Sequence, residues 1–237
     1  CSSTKEFLSK NSIAFEARDV ENDPKALAEL RALGIRNVPV TVLGDKTVIG
    51  FNREELTQLF KLSVGEEKQI ADAALFATLD KMLQAVIRAA RQVPPDHLDW
   101  CTPDRDRPLK VFCYHILADP NHVLDAIATQ KYDGSFKLMY AKDAEPFLSM
   151  EAVARFGEET LTRLKAASGK LSAEVLERPI DGYAGQTNGH ELLHQVLSHT
   201  AHHLRQLYAM LRMIGVEPAD PLGEGDFTGI RMPQDLW

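Results

Sequence analysis

The run Leu197-Ser198-His199-Thr200-Ala201-His202-His203-Leu204-Arg205-Gln206-Leu207 carries the strongest signal in this 237-residue chain. His199 and His203 stand one helical turn apart, so on a helix both imidazoles project from one face. That face is otherwise apolar. Val196, His199, His203, Leu207 and Met210 share a row, and Leu193, Leu197, Thr200, Leu204 and Leu211 flank it. His202 falls instead with Ser198, Arg205 and Ala209, a row that reads as solvated. Neutral imidazole is the commonest metal ligand among side chains, and a third His from another helix would complete a set with open coordination positions.

The candidate for that third ligand is His115, in the mostly apolar stretch Leu109 to Asp119, where Val111, His115, Ala118 and His122 share a row. A lone His on such a face is more often a satisfied core residue. The surrounding sequence predicts further helices. Apolar residues keep helical period from Ile70 through Leu79, Leu83 and Val86 to Ala90, before Pro94-Pro95. A second helix is expected to start near Asp106, with Pro108 in its first turn and Asp119-Pro120 placed to kink it. A third is expected from a Ser149 cap to Ala167, ended by Gly169. A fourth should run from an Asn188-x-x-Glu191 capping box to near Gly215. Residues 131–147 read as a long connection with a turn at Asp133-Gly134, and residues 178–189 as irregular with a turn at Asp181-Gly182. The segment Val216 to Trp237 is rich in Pro, Gly and Asp, but Leu222, Phe227, Ile230, Met232, Leu236 and Trp237 predict that it packs back on the protein.

Four helices with these three histidines resemble the DinB (DinB/YfiT-like) metalloenzymes over about residues 67–214. The resemblance implies a four-helix bundle with one ligand on the second helix, His115, and a His-x3-His pair on the last long helix, His199 and His203. The run His-His-Leu-Arg-Gln is similar to that family's usual His-His-Arg-Gly-Gln, with Leu204-Arg205 standing in place of Arg-Gly. Three neutral imidazoles suit Zn2+, and also Ni2+, Fe2+ or Mn2+. Relatives of this kind are mostly thiol-dependent isomerases and transferases that use mycothiol, bacillithiol or glutathione. A His-Glu-x-x-His zincin motif is missing here, which argues against peptide hydrolysis.

The front of the chain reads as a different object. A helical pattern from Cys1 to Asn11 is followed by a strand candidate, Ile13 to Val20. Asp23-Pro24 opens a helix through Leu33, stopped by Gly34. Val38 to Leu43 and Thr47 to Ile49 read as strands around a Gly44-Asp45 turn, and Arg53 to Phe60 as a last helix. Helices alternating with strands argue an α/β layer. The segments Lys5-Glu6-Phe7-Leu8, Asp19 to Pro24, Asn37 to Val42 and Ile49-Gly50-Phe51-Asn52 together resemble glutaredoxin, a thioredoxin-fold family. That resemblance implies a cis Val38-Pro39 bond, pairing of the Val38 backbone with the cysteinyl part of glutathione, and a γ-glutamyl-binding loop at Gly50, Phe51 and Asn52. By the same alignment Cys1 stands at the second position of the family's Cys-x-x-Cys. The expectation is therefore an apparently truncated domain, with the first strand and the nucleophilic Cys upstream of residue 1. A thiol at a helix N-terminus has a lowered pKa, so Cys1 is a candidate catalytic residue.

The fold class expected is thus α/β plus all-α. A glutaredoxin-like thioredoxin fold (1–62) would precede a DinB-like bundle (67–214) and a packed tail (215–237). Residues 1–62 hold 9 Lys/Arg and 9 Asp/Glu, so the remainder carries the whole net charge of −7. An acidic bundle is a poor partner for nucleic acid. No apolar run approaches a membrane span. Three cysteines, at positions 1, 101 and 113, form no disulfide framework, and Cys101 and Cys113 read as buried hydrophobes or free thiols. A reducing, cytoplasmic setting fits. Together the two resemblances imply a metal-dependent transferase or detoxification enzyme that joins glutathione or a related small thiol to an electrophile. His122 is a candidate acid–base group, and Tyr114 and Arg205 are weaker ones. Two other classes stay open: a thiol-disulfide oxidoreductase with the bundle as a dimerisation element, and a non-catalytic metal-binding sensor. Bundles of this kind often pair, which leaves a homodimer open.

Overall fold

The computed structural model describes residues 2–11, 13–20, 22–35, 38–50, 53–61, 72–103, 105–183, 185–233 and 236. The chain divides into two compact units, Cys1–Glu67 and Lys68–Trp237.

In the first unit, helices α1 (Ser2–Lys10), α2 (Pro24–Ala32) and α3 (Arg53–Leu59) accompany two strands, β1 (Val40–Leu43) and β2 (Lys46–Ile49). The strands pair antiparallel, Val40 opposite Ile49 and Leu43 opposite Lys46. Asp23 caps α2, its side chain accepting from the Lys25 N–H at 2.9 Å, and Pro24 fills the first helical position, where no N–H is needed. Phe7 and Leu8 from α1, Val48 from β2 and Leu56 from α3 form the small core. Residues 13–19 are not a strand. They are mostly exposed and find no ladder partner among the described residues, and an apolar-alternating segment becomes a strand only when another chain segment pairs with it.

The second unit is built on four long helices: α4 (Asp72–Arg91), α5 (Leu109–Thr129), α7 (Met150–Ser168) and α9 (Gly189–Met213). Both α4 and α5 lean on α7 and on α9, so the two helices closest in sequence face each other across the bundle. Leu79, Met82, Leu83, Ile116, Leu117 and Leu197 are among the side chains sealed in its core. Gly157, mid-way along α7, stands where α4 and α5 leave no room for a side chain. A Cβ there would lie 2.8 Å from Ile87 Cγ1 and 2.9 Å from Leu117 Cδ1. Pro120 sits inside α5, which continues through it.

The caps follow the sequence. Ser149 accepts from the Ala152 N–H, and Gly169 ends α7. Asn188 accepts from the Glu191 N–H at 2.9 Å, but the capping box is half made, because Glu191 Oε2 accepts from Thr187 Oγ1 at 2.6 Å instead.

Two connections are more ordered than their composition suggests. Residues 131–147 contain β3 (Lys131–Tyr132), a 3-10 turn at Ser135–Leu138 and a short helix, α6 (Tyr140–Asp143). After α8 (Ala173–Leu176) comes a hairpin of β4 (Pro179–Gly182) and β5 (Gly185–Asn188), with β3 parallel to β4 in the order β3-β4-β5. The irregular segment expected at 178–189 is therefore largely sheet. Of β4 only Ile180 is buried, so no alternating pattern announces the strand. Gly182 is required by contact, since a Cβ there would meet Gly185 O at 2.6 Å.

The segment after α9 is strapped to α4 and α9. Ala219 N–H donates to Gln92 Oε1 at 2.7 Å and Leu222 N–H to Tyr208 Oη at 3.1 Å. Lys81 pairs with Asp226. Ser198 donates to the Arg231 carbonyl and Gln206 Nε2 to the Leu236 carbonyl. Phe227 is buried, and Leu222, Ile230 and Met232 pack against the main core.

Candidate metal centre

Two rods of the bundle deliver the ligand candidates. α5 presents His115, and α9 presents His199 and His203 one turn apart. One nitrogen from each lies within 4.8 Å of the others, which is close enough to hold a metal ion. Ring centroids are 5.2 Å apart for His115 and His199, 4.8 Å for His115 and His203, and 4.2 Å for His199 and His203. Phe112, one turn before His115, sets an edge against both His115 and His203. His202 lies outside the cluster, as its helical row requires.

His115 is only 3% exposed, and both of its ring nitrogens are buried without a hydrogen-bond partner among the described residues. A buried polar group left in that state costs stability, so its presence needs an explanation. Burial also sets the protonation. It pushes His115 well below the ordinary imidazole pKa, with His199 and His203 adding to the effect and the Phe112 backbone, short of hydrogen-bond geometry, opposing it. Burial likewise lowers His199 to about 3 and His203 to about 2. All three are neutral at pH 7, which is the ligand form. The donor set fits a divalent cation that accepts nitrogen.

Oxygens stand behind two of the rings. His203 Nδ1 is bonded to Gln206 Oε1, so its other nitrogen faces the cluster. His199 Nδ1 lies 3.1 Å from Asp119 Oδ2. The other oxygen of Asp119 accepts from the Tyr140 hydroxyl. Burial raises Asp119 to about 6, against the opposing pull of that hydrogen bond, and burial raises Tyr140 as well. Neither Asp119 nor Gln206 stood out in the sequence as a site residue. Their spacing was the available sign: Asp119 is one turn after His115, and Gln206 is three residues after His203.

His122 stands apart from the cluster. Its ring stacks on Phe136 with centroids 4.1 Å apart, and Tyr140 lies between it and His115, at 6.0 and 5.4 Å. Tyr114 is part of an aromatic group with Phe147 and Phe156. Cys113 is fully buried and Cys101 half-buried, and burial raises both thiols, the opposite of nucleophile activation.

In the first unit Val38-Pro39 is cis. Val38 is half exposed, and its backbone groups make no hydrogen bond to the backbone of the described residues. Gly50, at φ +77°, donates its N–H to the Pro39 carbonyl at 2.8 Å, so these positions lie side by side. Cys1, Phe51 and Asn52 fall outside the described residues. No helix among the described residues is long and apolar enough to cross a membrane.

Comparison with known proteins gives two family matches and no match to a curated protein. The family model for Glutaredoxin matches residues 1–48. That for the DinB family matches residues 68–221, well over half of the chain and all three clustered histidines. A Glutaredoxin domain thus precedes a helical bundle whose fold and match agree: the chain belongs to the DinB family.

Proposed function

We propose that this protein is a metal-dependent transferase or detoxification enzyme that uses glutathione or a similar small thiol. The observation that carries the proposal is His115, sealed in the bundle with neither nitrogen hydrogen-bonded among the described residues and two further neutral imidazoles beside it. A divalent cation held there, Zn2+ by preference, lowers the pKa of a thiol or water that reaches it. His115, His199 and His203 hold it. Asp119 and Gln206 stand behind two of them. Val38, Pro39, Gly50, Phe51 and Asn52 are assigned to the thiol's peptide part, a role that the Glutaredoxin match and the cis bond support for Val38 and Pro39. In the reaction the thiol sulfur forms a C–S bond to an electrophilic carbon, the C–X bond breaks with both electrons leaving on X, and the thiol proton passes to solvent. His122, half-buried and separated from the cluster by the Tyr140 ring, is a candidate to carry that proton.

Partners on this reading are the thiol and an electrophilic small molecule. A cytoplasmic location and a homodimer are compatible with it, and the acidic bundle disfavours nucleic acid.

The test is metal analysis of the purified chain, followed by consumption of glutathione with 1-chloro-2,4-dinitrobenzene. His199→Ala should abolish metal uptake and turnover, while Cys1→Ser leaves both. The reverse pattern would make the protein a thiol-disulfide oxidoreductase. Metal uptake without thiol turnover would make it a metal-binding sensor.

A further inference from the structure

The two clustered histidines of α9, His199 and His203, turn Nδ1 toward an oxygen, but the two oxygens differ in kind. His203 meets a neutral amide, Gln206, from its own helix. His199 meets a carboxylate from a different helix, Asp119 of α5, at 3.1 Å. Asp119 is one turn beyond His115, so α5 supplies one ligand and reaches the ring that supplies another. The carboxylate is itself fixed. Its side chain is 15% exposed, and its other oxygen is taken by the hydroxyl of Tyr140, from the short helix α6. The Tyr140 ring packs 5.4 Å from that of His115, so the 131–147 connection reaches the centre through this side chain.

We propose that Asp119 is a positioning residue for the metal centre. Its carboxylate, held by Tyr140, keeps the proton of His199 on Nδ1 and aims Nε2 at the point shared with His115 and His203. This rests on the metal-binding reading. The 3.1 Å separation is hydrogen-bond length but not yet hydrogen-bond alignment. The terminal ring torsion of histidine is soft, so a small rotation brings the N–H into line. A carboxylate behind a ligating imidazole fixes its tautomer and raises its basicity, and losing such a partner weakens metal binding by about 10- to 100-fold.

The test uses the whole 237-residue chain loaded with Co2+ or Zn2+. Asp119→Asn should raise the Co2+ dissociation constant by roughly tenfold or more, and Tyr140→Phe by a smaller factor, with helical circular dichroism unchanged. The visible Co2+ spectrum should shift in position while keeping the intensity of its coordination number. In the Zn2+-loaded wild type, 15N–1H correlation should place the His199 proton on Nδ1. A proton on Nε2 would overturn the proposal. So would equal Co2+ affinity in wild type and both variants. A change of coordination number in Asp119→Asn would also overturn it, by making Asp119 a ligand. If Asp119→Asn does not fold, Tyr140→Phe and the wild-type tautomer still decide. Failure of the wild type to take up Co2+ would instead overturn the metal-site reading itself.

Discussion

Replacing His115 by Leu should make the metal-free protein more stable and remove most of the stabilisation that metal confers. A neutral imidazole carries one N–H donor and one acceptor nitrogen, and both of these atoms in His115 are buried without a hydrogen-bond partner among the described residues. Each such group costs about 1–3 kcal/mol, so the metal-free wild type bears roughly 2–6 kcal/mol of unmet polarity at this one side chain. Leu is close in volume. Its different shape costs up to about 1.5 kcal/mol in a packed core. The net gain is therefore about 0.5–6 kcal/mol, and each kcal/mol moves the midpoint of a domain this size by about 2–4 °C. Metal works against that gain. An ion at 100 times its dissociation constant stabilises the wild type by about 2.7 kcal/mol, and a variant that lacks a ligand gains little. Thermal melts of both proteins in EDTA and in excess Zn2+ give all four values. A Leu variant that melts below the wild type in EDTA would refute the reasoning, because it would mean that the buried nitrogens of His115 are already satisfied.

In EDTA, wild-type stability should fall as pH drops below about 6.5. Unfolded imidazoles take up protons there while buried His115 resists protonation, so the unfolded state binds more protons and is favoured. Urea titrations at pH 7 and pH 5 check it, and a flat profile would count against a neutral, buried His115. Gly157→Ala should lower the melting temperature. Helix propensity gains about 1 kcal/mol, but a Cβ would press on Ile87 and Leu117 inside the 3 Å limit, and overpacking of this kind costs about 1–3 kcal/mol. A higher melting temperature would show that α4 and α5 yield at this point.

The bundle was legible because its signals are local. The four helices announce themselves by 3.6-residue periodicity, and Ser149, Gly169 and Asn188 mark ends where the caps are found. The ligand triad was legible in two parts. His199 and His203 share a face by arithmetic, whereas His115 could be joined to them only through the family resemblance, since one helix's sequence does not say which side chain of another it will meet. Asp119 and Tyr140 were out of reach for the same reason. They act across helices, and Asp119-Pro120 read first as a kink. The β4–β5 hairpin hid because a strand with a single buried residue has no alternation to detect. In the front unit the helices and the two paired strands follow their turn residues. The segment Ile13 to Val20 reads as a strand and is not one, because β pairing depends on a neighbour that the segment's own residues do not specify.

The strap across α9 has a practical corollary for anyone cutting this protein. The stretch that resembles its family ends at residue 221, yet the oxygen that receives the Gln206 amide belongs to Leu236. Expressed to the boundary that homology suggests, the bundle would keep every ligand and lose the anchor of the amide that orients His203. Its amide could then swivel, leaving that imidazole free to choose the wrong tautomer, and a truncated preparation would report weaker metal affinity than the intact polypeptide possesses.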